Sequence, residues 1–525
     1  MVKGEHIDFS LPEHLNLGSY FLDVNLEQGR ADKTAIYYRD DAYSFRDLWR
    51  LTNKLGNVLR AAGVEAENRV LLVLEDSPEW VAAWLATMKI GAVGTHAYTF
   101  LTAPDYAHLL NLVRPKAVVV DGSTLERMRE AARGLTWPMI FLVAGEANEL
   151  RKGEVSLPAM LESADERLDV AATHRDDAAF WNFSGGTTGK PKGVPHMHRD
   201  GVISYQSFNH VVRYTSDDVV LRVPKLFFHY ARDLGLLFPL RNGAAVVLYE
   251  GRASAPLIFE HVRKYRPTVL VNVPTMMKAM IQTPAHERSD LSAVRLCLSS
   301  GEQLSAHLYH DWVRTFATEV VNRFGSAETG IGYLCNRPGE VKPGSSGRVN
   351  PLVEVKLVDE RGCEVENGQP GVLLVRSDAV GLHYVREHEK SKATFLGDEW
   401  VDTGDVFIQD DNDYFWYVGR ANEMIKVSGI WVSPLEIEQV LHQYPGVKEC
   451  AAIGIKGDDG LMSIKAFVVL HAGGENSVLM SDELKQFCKT RLAPHKFPRT
   501  IEFVDELPKT GAGKIDRFLM RTRGL

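Results

Sequence analysis

The chain has 525 residues, 45% of them hydrophobic and 24% charged, the mixture of an ordinary water-soluble enzyme. That length exceeds the roughly 250–300 residues at which a single core stops growing, so at least two domains are expected. A formal net charge of −8 disfavours a general nucleic-acid binder, and the five cysteines (Cys297, Cys335, Cys363, Cys450, Cys488), with no C-x-x-C pair, disfavour a disulfide framework or a zinc site.

Met1 to His6 lacks the basic flank and apolar stretch of a secretory signal, so a cytoplasmic protein is expected. Arg69–Leu74, Ala117–Val120, Met139–Val143, Ala245–Leu248 and Thr268–Val271 are near-continuous apolar runs, suited to strands buried on both faces of a parallel sheet. Between them the pattern turns helical, as in the segment opened by Pro78, where proline suits a first helical turn. The apolar run Trp80–Leu101 is interrupted by Lys89, Gly91, Gly94 and His96, and reads as a buried helix leading into a strand rather than a membrane span. This alternation predicts an α/β fold, with a large N-terminal region of two α/β sheet-containing subdomains. From Gly347 to Val375 short strands alternate with turn signals (Asp359–Gly362, Glu366–Gly368), predicting a small β-rich subdomain. Beyond Gly419-Arg420 about a hundred residues remain, with a strand-like run Lys465–Leu470, enough for a small α+β C-terminal domain. The predicted domains are 1–421 and 422–525.

The most informative segment is Phe183-Ser-Gly-Gly-Thr-Thr-Gly-Lys-Pro-Lys-Gly193. Gly185, Gly186, Gly189 and Gly193 permit backbone conformations that present N–H groups, Ser184, Thr187 and Thr188 add hydroxyls, and Lys190 and Lys192 add charge, so the string suits a polyphosphate. It is not a Walker A loop, because Ser184 and Pro191 stand where that motif needs glycine and Ser or Thr.

This string resembles the phosphate-binding signature of the adenylate-forming superfamily, which includes acyl- and aryl-CoA ligases, luciferases and peptide-synthetase adenylation domains. Five more segments resemble its motifs in the same order. Ser300-Gly301-Glu302 is similar to the adenine-binding turn, and Phe324-Gly325-Ser326-Ala327-Glu328 to the Y-G-x-T-E motif with Phe for Tyr and Ala for Thr. Asp402–Asp405 resembles the ribose-binding T-G-D, Gly419-Arg420 with Met424–Gly429 the hinge and its following loop, and Pro508–Lys514 the terminal catalytic-lysine motif.

The resemblance implies a two-step reaction in which a carboxylate attacks the α-phosphate of ATP, releasing pyrophosphate, and a thiol then displaces AMP from the acyl-adenylate. Lys514 would bridge the carboxylate and α-phosphate, Glu328 would hold Mg²⁺, and Asp405 with Arg420 would bind the ribose. Phe324 would stack on adenine or pack in the core. Lys426 and Gly429 would belong to the thioester-forming loop, Gly429 giving coenzyme A a close backbone approach. Asn422 falls at the hinge of a mobile C-terminal domain, where Asp or Lys is usual. Acetylation of Lys514 by an acetyltransferase partner would remove its charge, though no sequence feature points to such a partner.

Within the superfamily, Lys225–Tyr230, Arg266–Leu270 with Val273–Thr275, Lys392–Leu396, Lys426–Pro434 and Arg491–Pro498 resemble benzoate-CoA ligases and their alicyclic relatives. His229, Tyr230, Gly325, Ile331 and Gly332 would then line the acyl pocket. His229 stands where several aryl members carry Ala, and Ile331 where they carry His, which predicts a more apolar far end suited to benzoate or a cyclohexane- or cyclohexenecarboxylate. The expected partners are the acid, ATP and coenzyme A, with neither nucleic acid nor membrane. A medium-chain fatty acid–CoA ligase, a stand-alone adenylation enzyme loading a carrier-protein thiol, a luciferase-like oxygenase and a nucleotide sensor are the alternatives.

Overall fold

The computed structural model describes residues 1–145, 149–185, 190–427, 430–456, 462–471, 477–509 and 515–523. Two large sheets carry most of the N-terminal region. The first has seven strands in the order 191–197, 178–185, 93–96, 69–73, 117–121, 140–144 and 154–156. The second has nine, in the order 348–349, 332–335, 320–325, 296–299, 269–272, 219–222, 245–248, 34–38 and 41–44. Most of their pairs are parallel. The antiparallel ones lie at 178–185/191–197, at 34–38/41–44 and among 320–325, 332–335 and 348–349, while the edge strand 154–156 pairs in parallel. The five apolar runs are all central strands, and Val70–Val73, Val118–Val120 and Val269–Val271 have next to no exposure.

Helix Pro78–Lys89 shows how burial shapes the chain between strands. Ser77 caps it by accepting from the Trp80 N–H, Pro78 occupies its first turn, and Trp80 and Trp84 stack with centroids 5.6 Å apart. It leads, as expected, into the strand Val93–His96. Lys89 is buried, paired to Asp23 at 2.6 Å and donating to Asn53 at 3.0 Å. No helix among the described residues is long and apolar enough to cross a membrane.

A five-stranded antiparallel sheet follows, built from Val2–Lys3, Glu354–Val358, Pro370–Arg376, Trp400–Gln409 and Phe415–Arg420. It extends the expected β-rich subdomain to residue 420 and takes its first strand from the N-terminus, Val2 opposite Val355. Gly362 and Gly368, both in the predicted turns, have φ of 80° and 81°. Beyond Arg420 come a two-stranded ribbon (Ile425–Val427, Ile430–Val432) and a three-stranded sheet (Val447–Lys456, Met462–Leu470, Thr500–Phe503). Helices Pro434–Leu441 and Val478–Lys489 pack there around a core that includes Ile437, Leu441, Val468 and Leu484.

Candidate active site

In a parallel sheet with helical crossovers, ligands collect beyond the carboxyl ends of the strands. In the nine-stranded sheet, the strand Val269–Asn272 runs into Val273–Thr275, Leu296–Ser299 into Ser300–Glu302, Val320–Gly325 into Ser326–Glu328, and Val219–Arg222 into Lys225–Tyr230. The candidate residues from four sequence segments therefore gather at one edge.

The glycine-rich string begins and ends on two antiparallel strands, in which Ser184 pairs with Lys192 and Gly185 with Pro191. Gly186, Thr187, Thr188 and Gly189 lie outside the described residues, as do Gly429 and Lys514. Lys192 projects over the Tyr384 ring, its Nζ 3.7 Å from the centroid. Burial lowers the Lys192 pKa, while the Glu328 carboxylate opposes that shift. The Tyr384 hydroxyl donates to Glu328 Oε1 at 2.6 Å, and burial followed by the Glu328 charge pushes its own pKa up. Lys192, Tyr384 and Glu328 thus form one unit that joins the phosphate hairpin to the strand-end carboxylate. Tyr384 was not legible in the sequence: it lies in a loop 56 residues from its partner.

Gly301 takes φ of +84° at the turn after Ser299, a conformation that favours glycine. Glu302 accepts from the Thr275 hydroxyl at 2.8 Å and from its N–H at 3.2 Å, tying that turn to the neighbouring strand end. Phe324 is half-buried, with its ring 5.2 Å from both Tyr417 and Phe407. It packs in an aromatic cluster and keeps partial exposure, which leaves both of its expected roles available.

Asp405 sits directly opposite Arg420 on adjacent antiparallel strands, with Arg420 Nε 3.2 Å from Oδ1. Gly404 has φ of +65°, and its N–H donates to Asp402 at 2.8 Å, while the Asp405 N–H donates to the Thr403 hydroxyl at 3.1 Å. This turn holds a nearly buried carboxylate beside a guanidinium. Tyr417, on the five-stranded sheet and in ring contact with Phe324, faces the same carboxylate: burial and then the Asp405 charge raise its hydroxyl pKa.

The segment Lys225–Tyr230 is staked from below. Asp76 takes Arg222 Nη1 at 2.6 Å and the Leu226 N–H at 3.2 Å, and Lys225 Nζ donates to the Tyr249 carbonyl at 2.6 Å. Tyr230 is buried and donates its hydroxyl to the Asn272 carbonyl. Burial and the guanidinium groups of Arg323 and Arg232 hold the His229 pKa well below its ordinary value. Ile331 is buried at the head of the strand Gly332–Cys335, and Gly332 lies opposite Gly325.

Beside the residues expected to make an apolar far end stands a charged one. Arg323 packs among these same residues, and a Cβ on Gly332 would lie 2.0 Å from its Nε. Alternation along the strand gave the overlooked signal, since Arg323 falls on the face of Val321, a core residue.

On the C-terminal side, Lys426 lies 3.3 Å from Glu360, and Asn422 is in the turn between Arg420 and Ile425, its carbonyl accepting from Arg521 at 3.3 Å. Arg517 forms a two-pronged ion pair with buried Glu438, at 2.8 and 2.7 Å, and reaches Glu423 at 3.4 Å.

The whole chain has close likenesses. Residues 23–385 match the model of the AMP-binding enzyme family and residues 436–514 that of the AMP-binding enzyme C-terminal domain. The chain is 36% identical to a 4-hydroxybenzoate–CoA/benzoate–CoA ligase of Rhodopseudomonas palustris, covering 95% of this chain and 93% of that one. It is 35% identical to a benzoate–CoA ligase of Thauera aromatica, over 98% and 97%. Among solved structures it superposes on an anthranilate CoA ligase in complex with anthranoyl-AMP with a TM-score of 0.90 at 35% identity, covering 98% of each chain. A benzoate CoA ligase from Burkholderia xenovorans follows at 0.85 and 34%, covering 96% of this chain and 99% of that one. Matched by the family model over residues 23–385 and more than 30% identical to ligases along nearly its whole length, the chain belongs to the AMP-binding enzyme family.

Proposed function

We propose that the protein is an AMP-forming aryl carboxylate–CoA ligase, which converts a ring carboxylic acid, ATP and coenzyme A to the acyl-CoA, AMP and pyrophosphate. The observation that carries this reading is the convergence of Lys192, Tyr384 and Glu328 beside the Asp405–Arg420 pair, within a chain similar over its whole length to ligases of benzoate and hydroxybenzoate.

Negative charge builds around the α-phosphorus when the carboxylate attacks, so positioned cations and donors supply most of the catalysis. Lys192 and the hairpin N–H groups would bind the polyphosphate, Asp405 would accept the ribose hydroxyls with Arg420 fixing its orientation, and Phe324 and Tyr417 would flank the adenine side. Lys514 would bridge the two reacting groups. Glu328 fits Mg²⁺: its oxygens are hard donors, one already oriented by Tyr384, and Mg²⁺ is commonly held by one or two carboxylates plus substrate phosphates. When bound, the ion would neutralise phosphate charge. No cluster of three or more His, Cys, Asp or Glu side chains able to hold a metal occurs among the described residues, which agrees with a metal brought in by the nucleotide.

A boundary at 421/422 fits the end of the five-stranded sheet at Arg420, and rotation there about Asn422 would exchange Lys514 for the Lys426–Gly429 loop. Gly429→Trp is then expected to spare pyrophosphate release and reduce thioester formation from supplied acyl-adenylate by at least about tenfold, read by stopped assays of each half-reaction. Preserved overall turnover would contradict close passage of coenzyme A.

The deciding experiment is AMP and pyrophosphate formation with benzoate, 4-hydroxybenzoate, cyclohexanecarboxylate and hexanoate, with and without coenzyme A. Coenzyme A-dependent AMP from a ring acid supports the reading. Better use of hexanoate than of any ring acid removes the ring specificity, and pyrophosphate release indifferent to coenzyme A points to a carrier-protein thiol.

A further inference from the structure

Beside the acid site lies a buried guanidinium with no assigned task. Arg323 is 3% exposed, and its Nε and Nη1 have no hydrogen-bond partner among the described residues. Its surroundings do not cancel the charge. The carboxylate that faces it, Asp233, is already paired with Arg232 Nε at 2.9 Å. The remaining neighbours are neutral: the Tyr214 and Tyr230 hydroxyls and the Cys335 thiol, all with pKa values raised by burial, and the Phe208 ring, 5.5 Å from the guanidinium carbon. Asp233 therefore faces both guanidinium groups and is ion-paired with Arg232, in a region nearly closed to water. Burying a cation without pairing is costly, so a chain that keeps one there calls for an anion to meet it.

The position says which anion. The guanidinium occupies the gap left by Gly332, where a Cβ would fall 2.0 Å from Nε, and its Nη1 lies at ordinary contact distance, 3.6 Å, from where a Cβ on Gly325 would stand. Those glycines, with His229, Tyr230 and Ile331, are the residues assigned to the acyl pocket. A hydroxyl or amino substituent on the ring would meet one N–H and leave the charge uncompensated. A carboxylate supplies both an acceptor for an open N–H and the opposite charge.

We propose that Arg323 is the specificity determinant of the acid site and that the substrate is a ring dicarboxylic acid, with one carboxylate activated and the other held by Arg323. The proposal rests on the ring-acid ligase reading above. In the first step an oxygen of one carboxylate bonds to the α-phosphorus as the bond to pyrophosphate breaks. In the second the thiol sulfur of coenzyme A bonds to the acyl carbon, AMP leaves, and the thiol proton passes to solvent. The second carboxylate is unchanged, so the product is a mono-thioester that still carries one negative charge.

The test compares benzoate, benzene-1,2-, -1,3- and -1,4-dicarboxylate and the monomethyl ester of each, by pyrophosphate release and by titration calorimetry on the wild-type chain. The expected result is kcat/KM for at least one diacid roughly 10–100-fold above its half-ester and above benzoate, the size of a lost charge-assisted pair. Arg323→Met should invert that ratio, raising KM for the diacid and lowering it for benzoate, and Arg323→Lys should restore part of the preference. Equal use of diacid, half-ester and benzoate by the wild type overturns the proposal, whatever the fate of the variants. So does a loss in Arg323→Met that falls equally on benzoate and the diacids, because the guanidinium would then serve the reacting carboxylate or only the fold. If no acid yields coenzyme A-dependent AMP, the ligase reading fails. Calorimetry then decides for Arg323: diacid binding that weakens in Arg323→Met supports the anion site, and no binding of any diacid overturns it.

Discussion

Lys514→Ala is expected to lower pyrophosphate release by roughly 10²–10³-fold, the usual effect of deleting one charged group that stabilises a transition state. The same variant, given the acyl-adenylate and coenzyme A, should form thioester within a few-fold of the wild type. The asymmetry follows from the two chemistries. Attack of one anion on another needs a cation between them, whereas a thiol with pKa near 8.5 is already a few per cent thiolate at about neutral pH and displaces AMP without a dedicated base. Equal loss in both half-reactions would contradict the role given to this lysine. Circular dichroism of the variant separates that outcome from misfolding.

Glu328→Gln should cut the first half-reaction by a comparable factor, roughly 10²–10³-fold, and shift its Mg²⁺ titration to higher concentration. Glutamine keeps the shape of the side chain and a carbonyl oxygen for the Tyr384 hydroxyl, which now donates at 2.6 Å, so the fold should be undisturbed. What disappears is the negative charge, felt by Lys192, whose pKa the carboxylate holds up against burial, and, in the proposed role, by the metal. Tyr384→Phe is the matching control. It keeps the charge, frees the carboxylate to rotate, and should cost about tenfold. An unchanged Mg²⁺ titration in Glu328→Gln would remove Glu328 from the metal site.

The central strands were legible because burial on both faces leaves no polar alternation: Arg69–Val73, Ala117–Asp121, Ile140–Ala144 and Val269–Asn272 all fall within a residue of their apolar runs. Pairing between distant segments was not. Nothing in Val2-Lys3 announces a partner at Glu354-Val355, since register comes from packing that only the assembled sheet supplies. In the site, residues inside ordered motifs (Ser184, Glu328, Asp405, Arg420) could be named from order alone. Tyr384 and Tyr417 could not, because their partners lie far away in the sequence and meet them only in the assembled fold. Arg323 stood beside a recognised motif and still went unread, since a lone arginine on a strand looks like a solvent-facing charge until its neighbour Val321 is seen to be core.

Arg517 has a mechanical consequence. Lys514 is three residues upstream, and the intervening chain can span at most roughly 11 Å. Ile515 is pinned opposite Lys509, the Asp516 N–H donates to the Pro508 carbonyl, and Arg517 itself is clamped to Glu438 and Glu423, the latter next to the proposed hinge at Asn422. In the role proposed for it, Lys514 would therefore be geared to its pivot. It would leave the phosphates only by as much as the whole lever turns, and one angular coordinate would time both halves of the proposed cycle.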